Sequence, residues 1–257
     1  MVFDPMSQAG RDAVSPAELA EAVNNLSRTA VLVVGDAMVD RYIFGTVSRV
    51  SPEAPVPVLN IDREVALPGG AGNVVRNLTA LGAAVAFVSL VGDDAAGSDL
   101  TGLIGGQLRV EPWLLVQGGR TTTTKTRFLA GGQHMLRADR EEAQPIHPRL
   151  ADRLIKIATD AVAATSTVVL SDYGKGVLAG DIPARLIAAA RAAGRRVVVD
   201  PKGGDHSRFA GADLIMPEPD ELAGETGMAV NDETSAAIAA SILSRKHGFG
   251  AVLVPRV

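Results

Sequence analysis

Acidic residues recur at one kind of place in this chain, directly after an apolar, β-branched run. Asp36 and Asp40 follow VLVVG, and Asp93 and Asp94 follow AFVSLVG. Asp172 with Lys175 follows TVVLS, Asp200 with Lys202 follows RRVVV, and Glu218, Pro219, Asp220 and Glu221 follow ADLIMP. Carboxylates grip sugar hydroxyls or Mg²⁺, and lysine ammonium groups grip phosphate. One acid after a strand commonly serves only as a helix cap. Five such ends, two of them carrying lysine, fit a polar ligand site better than a set of caps. A second element is PGGAGNVVRNL. Here Gly69 and Gly70 permit close backbone approach, and Asn73 lies at the start of a helix whose free N–H groups favour anions or oxygens. A simple turn explains those glycines equally well. The loop is not a Walker P-loop, since no Gly-Lys-Ser/Thr ends it, and its glycine spacing fails the dinucleotide fingerprint.

A row of polar strand ends needs a sheet to hold it. Continuous apolar runs at TAVLVVGD, AVAFVSLVGDD, STVVLSDYG, RRVVVDPKG and ADLIMPEPDE predict strands buried on both faces. Helical stretches lie between several of them: GNVVRNLTALG, HPRLADRLIKIATDAVAA, DIPARLIAAARAAG and DETSAAIAASILSRKHG. Residues 74, 75, 78 and 81 follow the helical apolar period, and Gly82 suits a stop. Strands alternating with helices imply an α/β fold of three layers, α/β/α, around a mostly parallel sheet, with ligands outside the carboxyl ends of its strands. Ser15, Pro16 and Glu18 form a capping-box signature, which predicts a short helix in an N-terminal extension over 1–27. Two segments, about 41–67 and 119–140, have no helical period and predict β excursions from the edge of the main sheet, a small β lid. Within the second, RFLAGGQHMLRAD predicts two short strands about a Gly-Gly turn.

Composition narrows the function classes. Of 257 residues, 47% are hydrophobic, enough for a sizeable core, and the net charge of −4 comes without a basic tail or stripe. Nucleic acid is therefore not expected as the main partner. Absence of cysteine excludes disulfides and thiolate metal sites. The first residues lack the basic and apolar regions of a signal peptide, and no apolar stretch reaches the ~20 residues that span a bilayer. No membrane association and a cytoplasmic location are expected.

The ordered set SRVSPEAPVPV, PGGAGNV, LSDYGKG and DPKG resembles the ribokinase-like (PfkB) sugar kinases, and more closely the bacterial heptose-7-phosphate kinases. The resemblance runs from about residue 28 to the end. It implies transfer of the γ-phosphate of ATP, with Mg²⁺, to the anomeric hydroxyl of D-glycero-β-D-manno-heptose 7-phosphate, in lipopolysaccharide core synthesis. It also implies a homodimer formed through the lid. By motif, Asp36 and Asp40 would bind sugar hydroxyls, and Gly69, Gly70 and Asn73 would form the sugar-facing loop. Arg137 would approach the sugar or its phosphate. Asp172 and Lys175 would line the cleft between sugar and triphosphate, with Lys175 supporting the chemistry. Lys202 and the segment Glu218, Pro219, Asp220, Glu221 would serve the nucleotide, Glu221 the Mg²⁺–phosphate network. The family's Asn-x-x-Glu has Glu218 in place of the amide, which loses a donor and adds a charge. Family members also carry a Gly-Ala-Gly-Asp loop whose aspartate is the catalytic base. This sequence contains no such tetrad, so the expectation is a chain that stops short of the base and leaves apolar surface open near GAVLV. Two alternatives stand beside this reading: a PfkB-type kinase for another sugar or a nucleoside, and a non-catalytic sugar-binding or scaffold protein.

Overall fold

The computed structural model describes residues 15–255. It opens with α1 (Pro16–Leu26), entered through a capping box in which Ser15 Oγ accepts from Glu18 N at 3.2 Å and Glu18 Oε2 accepts from Ser15 N at 2.8 Å. This helix buries none of its residues.

The body is a seven-stranded sheet. Its strands are β1 (Ala30–Gly35), β4 (Ala84–Gly92), β5 (Val110–Gln117), β8 (Thr167–Ser171), β9 (Arg196–Asp200), β10 (Leu214–Ile215) and β11 (Ala251–Val252). The order is β11-β10-β9-β8-β1-β4-β5, and every pair is parallel. Alternation along β1 shows why both faces must be covered. Leu32 and Val34 point into one core, built with α4 (Pro148–Val162), α5 (Ile182–Ala192), α6 (Pro219–Thr226) and α7 (Glu233–His247). Val31 and Val33 point into the other, built with α2 (Ala71–Ala80) and α3 (Ala95–Gly105). The result is the expected three-layer α/β/α arrangement.

A second sheet has the order β3-β2-β6-β7, formed by β2 (Ala37–Val50), β3 (Pro57–Gly70), β6 (Thr124–Ala130) and β7 (Gln133–Arg140). Gly131 and Gly132, at φ +57° and +82°, make the two-residue turn between β6 and β7. The lid segments expected over 41–67 and 119–140 are corrected in two ways. The strands run over 37–70 and 124–140, and they form a sheet of their own rather than an extension of the main one. The reason is pairing: β2 and β3 stay paired, through two register shifts, down to Ala37 opposite Gly70, so the hairpin rises from the main sheet after a single residue, Asp36.

The sequence reading also lacked α3, β5 and α6. AAGSDLTGLIG carries three glycines, a poor helix former, yet Asp94 caps it at Gly97 N (2.7 Å) and Leu100 and Ile104 are buried. VEPWLLVQ holds Pro112, which an edge strand tolerates. Among the described residues, no helix is long and apolar enough to cross a membrane.

Candidate active site

β1 lies at the point where the chain departs to one side through β4 and to the other through β8, the place where an open parallel sheet leaves a crevice at its carboxyl ends. Asp36, Asp172, Asp200 and Glu218 stand at those ends. Asp36 N donates to Ser171 O at 3.1 Å and Asp172 N to Asp200 O at 2.9 Å, so the first three are side by side.

Asp36 is only 1% exposed. Its Oδ2 accepts from Tyr173 N (2.8 Å) and Lys175 N (3.0 Å), and its Oδ1 from Val177 N (2.9 Å). Every second N–H of the loop after β8 thus points at one carboxylate, which is possible because Gly174 and Gly176 take positive φ. The expected direct grip of Asp36 on a sugar is corrected: its oxygens are committed to the backbone and the side chain is sealed. Arg120, 7% exposed, closes the loop from the other side by donating to Lys175 O and to Gln144 O at 2.7 Å. Asp172 is likewise buried, accepting from Gly174 N at 2.8 Å and pairing with Arg208. Burial pushes its carboxyl up to about 6, with the neighbouring Asp36 adding to the rise and Gly174 N–H and Arg208 opposing it. Asp172 therefore borders the cleft as part of its wall, not as an open ligand.

Asp40 is open to the crevice. It sits on β2 with its side chain 19% exposed, and its Oδ1 accepts from Arg127 Nη1 at 2.6 Å. Its Oδ2 lies against Gly69, where a Cβ would come within 2.2 Å of that oxygen. Gly70 adopts φ +56° and a Cβ there would meet Asp36 O at 2.5 Å, so both glycines are required by close approach. Gly70 is the N-cap of α2 and gives no side-chain cap, which leaves the helix start to Asn73, an exposed residue. Strand registers place Asp40, Lys125 and Asp139 in one row across the lid, and Tyr42, Arg127 and Arg137 in the next. Arg137 shares the Asp40 face of the second sheet, with 57% of its side chain exposed and its Nε bonded to Asp139 at 3.1 Å. Arg127, not singled out from the sequence, is the guanidinium that reaches Asp40. The alternation in TKTRFLA, which sets Lys125 and Arg127 on one face, was the available signal.

On the other flank Lys202 Nζ lies 3.1 Å from Glu221 Oε1. Burial works against the ionised Glu221, but the N–H of Glu218, Lys202 and the N–H of Gly203 together hold its carboxyl below the usual range. Burial first, then Glu221 and Glu218, push Asp200 up to about 6 against the pull of Lys202. Pro219 occupies the first turn of α6, while Glu218 and Asp220 are exposed at its start. Among the described residues no group of three or more His, Asp or Glu is arranged to hold a metal ion. Lys175 and Tyr173 stand between the two flanks, both half-buried. Tyr173, whose ring faces Gly70 and whose hydroxyl burial and Asp200 keep protonated, was not anticipated.

The strand ends thus carry a partly exposed carboxylate beside the second sheet and, on the other flank, Lys202 set among Asp200, Glu218 and Glu221. A model of pfkB family carbohydrate kinases matches residues 28–255. The chain belongs to the pfkB family of carbohydrate kinases. Bifunctional protein HldE of Acidiphilium cryptum is 60% identical over 239 residues, which cover 93% of this chain and 49% of that protein. HldE of Paramagnetospirillum magneticum is 50% identical over 238 residues, with the same two coverages. The chain thus spans about half the length of the curated relatives it matches. Among solved structures, the tetrameric inhibited form of phosphofructokinase-2 from Escherichia coli aligns with a TM-score of 0.67 at 19% identity, covering 89% of this chain and 74% of that one. Arabidopsis thaliana ribokinase complexed with ribose and ATP aligns with a TM-score of 0.61 at 20% identity, covering 88% and 71%. These likenesses fix the pfkB fold.

Proposed function

We propose that this pfkB-family chain is an ATP-dependent sugar kinase domain that takes D-glycero-β-D-manno-heptose 7-phosphate and phosphorylates its anomeric hydroxyl to the 1,7-bisphosphate. The observation that carries the reading is Asp40, an accessible carboxylate pressed against Gly69 beside the uncapped start of α2, with Lys175 and Lys202 at the adjoining strand ends. A polyol fits the first group and a polyphosphate the second. The ordered motifs SRVSPEAPVPV and LSDYGKG favour heptose phosphate over other sugars.

In this reading Asp40, Gly69, Gly70 and Asn73 bind the sugar, and Arg127 and Arg137 bring positive charge from the lid. Asp36 and Asp172 act through the loop they hold. Lys175 faces the phosphates, and Lys202 with Glu218, Pro219, Asp220 and Glu221 serves the nucleotide. Asp200 is raised first by burial and then by the nearby Glu221 and Glu218, and that grouping of carboxylates is one a cation relieves. That fits Mg²⁺ held by one or two carboxylates, water and phosphate oxygens, which it would screen during transfer. Exposed Val50, Ile61, Met135 and Leu136 on the lid support a homodimer through it. A cytoplasmic location agrees with a nucleotide-dependent reaction.

The family's Gly-Ala-Gly-Asp base is not among these 257 residues. The 257-residue polypeptide assayed alone is therefore expected to bind heptose 7-phosphate and ATP but to turn over at least ~10²–10⁴-fold more slowly than Acidiphilium HldE. Comparable turnover would overturn the assignment of the base. Binding with no turnover under any condition would favour a non-catalytic sugar-binding role, and preference for ribose, fructose phosphate or a nucleoside in a substrate panel would move the specificity elsewhere in the family.

A further inference from the structure

One carboxylate ties the end of the lid to the loop after β8, as the Arg41–Asp99 pair ties β2 to α3. Glu141 follows the last residue of β7, and its Oε2 lies 2.9 Å from Lys175 Nζ on the loop after β8. The same oxygen takes Lys125 Nζ, from β6, at 3.2 Å. Lys125 also reaches Asp139 Oδ2 at 3.1 Å, and Asp139 Oδ1 takes Arg137 Nε at 3.1 Å. A line of alternating charge therefore runs Arg137, Asp139, Lys125, Glu141, Lys175, from the outer lid strand to the centre of the crevice.

The two ends of that line differ in freedom. The backbone of the 173–177 loop is fixed without Glu141, by Asp36 below and Arg120 beside it. The ammonium of Lys175, at the tip of a four-carbon stem, is not fixed by them, and the side chain is 17% exposed. The ion pairs with Lys175 and then Lys125 outweigh partial burial and keep the Glu141 carboxyl below its usual range, hence ionised at neutral pH.

We propose that Glu141 is a positioning residue that couples the lid to Lys175. In the ligand-free protein it holds the ammonium against the lid's exit strand, and an anionic ligand entering the crevice takes Lys175 from it. The partner of Lys175 and the seating of β7 then change together. This rests on the reading of Lys175 as a phosphate contact.

The test uses the full 257-residue chain and two readouts. Calorimetric titration with Mg²⁺ and the non-hydrolysable ATP analogue adenylyl imidodiphosphate is expected to show about threefold to tenfold tighter binding for Glu141→Gln, because the ligand no longer competes for Lys175. Glu141→Asp should return most of the way to wild type. In a Lys175→Met background the effect of Glu141→Gln should vanish, and Glu111→Gln, an equal loss of charge at the far end of the sheet, should not reproduce it. Hydrogen exchange at residues 133–140 should quicken in Glu141→Gln without ligand. An unchanged affinity, or a gain that persists without Lys175 or appears equally in Glu111→Gln, overturns the competition. If neither wild type nor variant binds the analogue, the phosphate role of Lys175 fails and the competition fails with it. Unchanged exchange at 133–140 overturns the coupling to the lid, whatever binds.

Discussion

Two aspartates four residues apart do opposite work. Asp36 is sealed and receives three backbone N–H groups, while Asp40 keeps a face to the crevice and one charged partner. Asp36→Asn replaces a charged acceptor of three bonds by a neutral group with one acceptor oxygen, and is expected to lower unfolding free energy by about 2–4 kcal/mol in urea titrations. Asp40→Asn is expected to cost under ~1 kcal/mol by the same measure, yet to abolish most sugar-phosphate affinity in calorimetry. A comparable loss of stability in both would remove the distinction. Asp200 offers a pH test. Folding lifts its carboxyl from 3.8 to about 6, so between those values the folded protein holds a proton that the unfolded chain has released. The stability tied to that proton is complete below about pH 4 and is lost as pH rises through 6. Asp200→Asn, neutral at every pH, should melt at a higher temperature than wild type at pH 7.5, and the advantage should shrink as pH falls to 5. An advantage that is constant with pH would show that Asp200 is not the titrating group.

Elements set which of these side chains can act. The lid hairpin ends in Gly69 and Gly70, which pass directly into α2, so the geometry of the sugar side depends on a turn without Cβ atoms. A methyl at position 69 would come within 2.2 Å of Asp40 Oδ2, 2.8 Å of Asp40 Cγ and 2.9 Å of Cγ of the buried Met38. Gly69→Ala is therefore expected to lower the thermal midpoint, since Met38 must shift, and to lose at least about tenfold in sugar-phosphate affinity through displacement of Asp40. That factor corresponds to ~1.4 kcal/mol, the scale of one charge-assisted hydrogen bond. Wild-type affinity in Gly69→Ala would mean that Asp40 does not touch the sugar. The loop after β8 shows a related dependence on glycine, since Gly176 has φ +100° and a Cβ there would strike Gln144 O at 2.1 Å.

At the scale of the whole molecule, the sheet is well covered at its centre and thinly at one margin. β11 is an edge strand of two residues, and beside it an open groove of about 720 Å³ is lined by Ala237, Ile238, Ala240 and Val252. Ile238 is 49% exposed and Leu253 55%. Apolar surface next to an unpaired strand edge favours association. Ile238→Lys is expected to lower the apparent mass in light scattering at high protein concentration, while changing unfolding free energy by less than ~0.5 kcal/mol, the usual range for a surface substitution. Identical scattering from the two proteins would show that this margin is inert.

The sequence by itself determined the sheet-and-helix alternation, the family and the row of polar strand ends, because each is written in local periodicity and in short motifs: VLVVGD, PGGAGN and LSDYGKG mean the same wherever they fold. It also located the turn at Gly131 and Gly132 and the capping box at Ser15. Only tertiary structure decided which acids are open and which are sealed, since Asp36 and Asp40 look alike until the loop 137 residues onward in the chain folds its N–H groups onto the first. The same holds for Arg120, Arg127, Glu141 and Arg208, each of which has a partner between 24 and 87 residues away in the chain. No local pattern encodes such pairings, because charge and burial at a site are set by what the fold brings beside it.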